Sequence, residues 1–331
     1  SPLSLINTDT VNGKAVKVRF RGALNSDDIF DFQVFLSPGD VWTANVSQNA
    51  DGKSFLTTAD ASCTKPEKSV INSTPFVTKR LNPKSSDLAG GTREGYIEIF
   101  NMADIPESET GVYPLIKHKN SVATCAGASF TALDKDRDYA TYTQDATAAK
   151  TAGVPHIGFA NPTDGLMANW TIMNVPKALS WSGTAAGIEA VDAAGGPLGT
   201  GNLVYFPQME TAATGAQIAA NTADPLFGVN EDAAADADGL GKKYVKASLY
   251  DLPDMSTPYA GAAYADPRAQ ADALSLALAA VDTTNEYWTA PSIEAETDWV
   301  FTMPTRRYNV AVNYATTNTA VFSTGATYFT T

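Results

Sequence analysis

Gly13-Lys14-Ala15-Val16-Lys17-Val18-Arg19-Phe20-Arg21, followed after a short gap by Phe30-Asp31-Phe32-Gln33-Val34-Phe35-Leu36, decides the fold. Val16, Val18 and Phe20 alternate with Lys17, Arg19 and Arg21, the period-2 pattern of a strand with one apolar and one solvated face. Phe30, Phe32, Val34 and Leu36 repeat it against Asp31 and Gln33. Asn12-Gly13 just before the first of these strands is a hairpin signal, so residues 3–8 and 14–21 are predicted to pair across it. Ser37-Pro38-Gly39-Asp40 supplies turn residues. Further strands are expected at 41–46 and 95–100, which makes the first hundred residues a run of antiparallel strands.

Outward from this block the periodicity weakens. Residues 166–175 and 203–206 read as strands, 145–152 as a short helix capped by Gly153, and 211–221 as another helix. Residues 195–201 are Gly-rich but lack the Lys-Ser/Thr of a phosphate-binding loop. A clearer helix is predicted over 267–281, with Asp266 as N-cap, Pro267 in the first turn, and Leu274, Leu278 and Val281 on one stripe. Strand chemistry returns at 287–293, 299–303, 308–314, 319–323 and 326–331. The expected fold is mainly β: an antiparallel β-sandwich or jelly-roll-like core with a few short helices. The expected organisation is a β-rich region over 1–130, an acidic, loop-rich insertion or second subdomain over 131–265, and a helix with closing strands over 266–331, unless all form one large domain.

The 331 residues carry 36 Asp and Glu against 23 Lys and Arg, a formal charge of -13. That excludes a nucleic-acid binder, which needs a basic surface to neutralise phosphates. The acidity is concentrated: residues 201–300 hold 15 acidic and 4 basic side chains. No apolar run approaches the roughly 20 residues of a membrane-spanning helix. Cys63 and Cys125 stand outside any metal or redox spacing. A structural disulfide is the better reading for them, and it implies an oxidising compartment.

Several stretches together resemble a broad family of secreted Gram-negative proteins known only as cell surface proteins. They are Asn7-Thr8-Asp9-Thr10-Val11-Asn12-Gly13-Lys14 running on to Arg21, Asn25-Ser26-Asp27-Asp28 through Phe32, and Leu36-Ser37-Pro38-Gly39-Asp40-Val41-Trp42-Thr43. Asn285-Glu286-Tyr287 and Thr297-Asp298-Trp299-Val300-Phe301-Thr302-Met303-Pro304-Thr305-Arg306-Arg307-Tyr308 add to the likeness. The resemblance implies an exported, surface-associated protein and carries no catalytic residues with it.

Candidate sites are few. The only histidines are His118 and His156, and there is no GxSxG. The acidic pairs Glu107/Glu109 and Glu294/Glu296 could serve a hydrolase only if the fold set their separation and split their pKa values. Asp134, Asp136 and Asp138 alternate, and Asp145 falls at the twelfth position of a calcium loop, although Tyr139 stands where such a loop wants Gly. The competing and weightier reading is a solvated acidic turn with Lys135 and Arg137 as counter-charges. Asp232, Asp236 and Asp238 form a looser calcium candidate. Trp42, Trp170, Trp181, Trp288 and Trp299 suit either a sugar platform or core and subunit contacts. Leu3, Leu5 and Ile6 mark a strand available to a neighbouring subunit. The expected function is an extracellular structural protein that self-assembles into a layer or filament as a homopolymer. The rival is a monomeric adhesin-like module that binds cell-surface glycan.

Overall fold

The structure is a computed structural model. It describes residues 1–23, 28–78, 81, 85–134, 142–143, 155–188, 199–201, 203, 205, 289, 312–313 and 319–320. The predicted helices at 145–152, 211–221 and 267–281, and the strands at 287–293, 299–303 and 326–331, lie outside these residues, save Thr289.

The fold is mainly β, built from two antiparallel sheets with a few short helices, as the alternation of apolar and polar residues required. One sheet holds β1 (Pro2–Asn7), β4 (Val41–Gln48), β5 (Ser54–Thr57), β8 (Leu166–Asn174) and β9 (Leu179–Thr184) in the order β5-β4-β1-β8-β9. The other holds β2 (Gly13–Gly22), β3 (Asp28–Leu36), β6 (Cys63–Lys65) and β7 (Gly95–Ile105) in the order β6-β3-β2-β7. A small separate ladder joins β10 (Val312–Asn313) to β11 (Thr319–Ala320). Strands β8 and β9, from within residues 131–265, lie beside β1 in the first sheet.

The two sheets share one apolar cluster. Leu3, Leu5, Trp42 and Ala44 come from the first sheet, Val16, Val18, Phe20, Phe30, Phe32, Val34 and Leu36 from the second, and Ile71 from the short helix α1 (Lys68–Ile71). Phe30 stacks on Phe76 and Phe32 packs against Trp42, adding the contact energy of paired aromatics to plain burial. A second cluster covers the opposite face of the β6-β3-β2-β7 sheet. It draws Ala15, Phe35 and Ile105 together with Tyr113 and Ile116 of α2 (Tyr113–Ile116) and Phe130 of α3 (Ala128–Thr131).

Two expectations fail here, each for a physical reason. Residues 3–8 and 14–21 do not form a hairpin: β1 pairs with β4 and β8, while β2 pairs with β3 and β7. The Asn-Gly pair sits instead at a corner where the chain passes from one sheet to the other. The Asp9 carboxylate accepts from the backbone N–H groups of Val11 and Asn12, and Asn7 donates to the carbonyls of Asn12 and Ser37. Those side-chain bonds satisfy the bend that a two-residue turn would otherwise have made. The second failure is the solvated face of β2. Every residue of that strand is buried, Lys14, Lys17, Arg19 and Arg21 included. Buried cations need partners, and these have them: Lys14 and Lys17 meet Asp104 and Asp31, Arg21 Nε donates to Glu98 Oε2 at 2.5 Å, and Arg19 lies over the Phe100 ring.

Candidate assembly surface

β1 is a central strand. Its register runs Leu3↔Ala44 and Leu5↔Trp42 on one side, and Leu3↔Trp170 and Leu5↔Ala168 on the other. Leu3 and Leu5 are buried in the inter-sheet core and Ile6 is half-buried on the opposite face. Both ladder edges of β1 are therefore occupied within the chain, by β4 and β8. Its removal would bare two edges at once and uncover Trp42, Ala44 and Ala168.

The sequence pattern anticipated β8 but not β9. β1 covers β8 only from Leu166 to Trp170. Beyond that, β8 continues with β9 as a two-stranded arm, in register Trp170↔Gly183, Ile172↔Trp181 and Asn174↔Leu179. Opposite residues share a face. The apolar stripe that begins in the core with Leu5 and Ala168 thus runs off the end of the sandwich through Trp170, Ile172 and Trp181. Trp170 is 37% and Ile172 50% exposed, and Val175 in the arm's turn is 79% exposed. Gly183 is required beneath Trp170: a Cβ there would lie 2.8 Å from the indole ring. The overlooked signal in the sequence is the lack of charge, since only Lys177 interrupts the neutral run between Asp164 and Glu189.

The other sequence candidates fall as follows. Cys63 and Cys125 are joined in a disulfide with their Cα atoms 5.1 Å apart, fastening β6 to the loop after α2. Asp134 ends a short 3-10 turn, while Asp136, Asp138, Asp145, Asp232, Asp236 and Asp238 lie outside the described residues. Among the described residues no group of three His, Cys, Asp or Glu side chains stands together to hold a metal ion. Trp42 is a core residue, and Trp288 and Trp299 lie outside the description. Ser37 Oγ and Asp40 Oδ2 both approach the same nitrogen of His118, Nδ1, at 3.3 and 3.4 Å. A nucleophile relay needs them on opposite ring nitrogens, so this trio is a polar brace for the 37–40 turn. His156 Nδ1 pairs with the Thr110 hydroxyl at 2.9 Å. Among the described residues no helix is long and apolar enough to cross a membrane.

The fold thus defines a two-sheet, disulfide-bearing antiparallel β protein whose first strand fills a slot between two others. Compared with protein-family models, curated proteins and solved structures, the chain shows no significant match.

Proposed function

We propose that this protein is an extracellular structural subunit that polymerises by exchanging β1 between neighbouring copies. The observation that carries the proposal is the placement of β1, lodged between β4 and β8 without a ladder to β2. A strand held this way belongs to the sandwich by packing and hydrogen bonds, and joins β2 only through the corner at residues 8–12. The slot accepts β1 of the same chain or of a neighbour with identical contacts, so exchange costs little beyond reopening the corner. When each copy donates forward and receives from behind, the contact is heterologous and grows into a filament unless rotation closes it into a ring. The disulfide supports an oxidising location, and the resemblance to secreted surface proteins supports the outer surface of a Gram-negative cell.

Negative-stain electron microscopy of the purified chain, in millimolar calcium and in chelator, tests this reading. Filaments or sheets are expected, and their loss in chelator would give the aspartate runs a part in assembly. Dispersed particles under both conditions contradict the proposal. If those particles bind glycan, the adhesin-like reading takes its place, with Trp170 and Trp181 as the aromatic platform.

A further inference from the structure

The β8–β9 arm supports a second contact, which rests on the self-assembly reading and adds to it. Among the described residues β9 is the last strand of its sheet, and no strand or bridge adjoins its outer edge. Natural edge strands are blunted by charge, proline or a bulge. β9 reads Leu-Ser-Trp-Ser-Gly-Thr, with none of these, and follows β8 in unbroken register from Asn174↔Leu179 to Asn169↔Thr184. The 24 residues from Gly165 to Ile188 hold one charged side chain, Lys177, in a chain of net charge -13. β9 carries no charged side chain, so two copies of this edge can meet with no like charges opposed across the seam. It is also continuous with the slot that β1 fills.

We infer that β9 pairs antiparallel with β9 of a second copy about a two-fold axis perpendicular to the sheet, merging two five-stranded sheets into one. Such an axis keeps each face on its own side. Trp181 then stands opposite its own counterpart and Leu179 opposite Gly183 of the other copy, while Trp170 and Ile172 extend the apolar stripe on either side. Ser180 and Ser182 meet across the other face. An isologous contact closes on itself, so it joins polymers laterally and leaves elongation to β1.

The test isolates this contact from strand exchange. In the full chain carrying Ser4→Cys and Asn169→Cys, partners across β1 and β8, a disulfide confirmed by mass locks β1 into its own sheet. Sedimentation velocity over a rising concentration series should show the locked chain passing from monomer to dimer. Adding either Ser182→Lys or Ser180→Lys, both at exposed positions, should hold it monomeric with an unchanged far-UV circular dichroism spectrum. A locked chain that stays monomeric throughout overturns the inference, and so do dimers that persist in both lysine variants. The two proposals fail separately: unlocked lysine variants should still form single filaments, whereas absence of filaments from the wild-type chain sinks the exchange reading alone.

Discussion

Lys14 is fully buried, and the three N–H groups of its ammonium are shared among Asp104 Oδ1 at 2.6 Å, Thr163 O at 3.0 Å, Thr163 Oγ1 at 2.9 Å and Asp164 O at 2.9 Å. It therefore ties β2 and β7 to the loop that leads into β8. Asp104→Ala removes the nearer of two carboxylates and leaves Asp9 Oδ2 at 3.7 Å as the countercharge, so the loss should lie at or below the roughly 3–5 kcal/mol of breaking a buried pair from one side. Urea denaturation should show a loss of that size, and the double variant Lys14→Met with Asp104→Leu should recover part of it. Trp42 offers a contrast. Its ring is buried, and among the described residues its indole N–H has no acceptor. Trp42→Phe removes that unsatisfied donor along with some volume, so its cost should stay within about 1.5 kcal/mol, against about 3–5 kcal/mol for Trp42→Ala. At the corner, partial burial pushes the Asp9 carboxyl up, but the N–H groups of Asn12 and Val11, the Asn12 side chain and the Lys14 charge outweigh it. Together they hold the Asp9 pKa below the ordinary 3.8. A depressed carboxylate stabilises the fold fully above its unfolded pKa, and that contribution is lost as pH falls through the folded value. Exchange of β1 between labelled copies should therefore quicken as pH drops below about 4, and Asp9→Asn should flatten that dependence.

At the scale of elements, much of the fold was legible because period-2 patterns mark strands directly. β2, β3, β4, β7 and β8 stand where Val16-Val18-Phe20, Phe30-Phe32-Val34, the Val41 strand, the Gly95 strand and the 166–175 run placed them. Pairing was less legible. Asn12-Gly13 signals a turn, but a turn signal does not say whether the chain returns in its own sheet or crosses to another; that choice is made by Asn7 and Asp9 bonding across the corner. The buried face of β2 was hidden for a similar reason. Lys and Arg at alternate positions read as solvated until Asp31 of the neighbouring β3 and Glu98 and Asp104 of β7 are brought beside them. The candidate surface was half legible: Leu3 and Leu5 were singled out, but the slot around them depends on β8, more than 150 residues away. The disulfide, by contrast, followed from two lone cysteines. It closes a 62-residue separation, worth about 4 kcal/mol in the chain-entropy model. Replacing both cysteines by Ala should lower stability by roughly that amount in urea denaturation. Because the bond fastens the cover of the second sheet, it should leave β1 exchange intact.

At the scale of the whole molecule, the sandwich has a slot filled by a strand from outside its own hairpin order and an uncharged arm at one edge of the same sheet. The slot suits elongation and the arm suits lateral pairing. The exchange of β1 is the claim on which the rest depends, and it has a direct chemical test. Ser4 and Asn169 are register partners, with side chains on the face away from Leu3 and Leu5, and cross-strand neighbours of this kind come within disulfide reach. Two variants of the chain, one carrying only Ser4→Cys and the other only Asn169→Cys, are mixed, allowed to assemble and oxidised. A disulfide between the two chains, found by non-reducing electrophoresis and by mass of the linked peptides, is the expected result, since it forms only when β1 of one copy lies beside β8 of another. Assembled material without that inter-chain bond, from variants whose combined double form closes the same bond within one chain, would contradict the account.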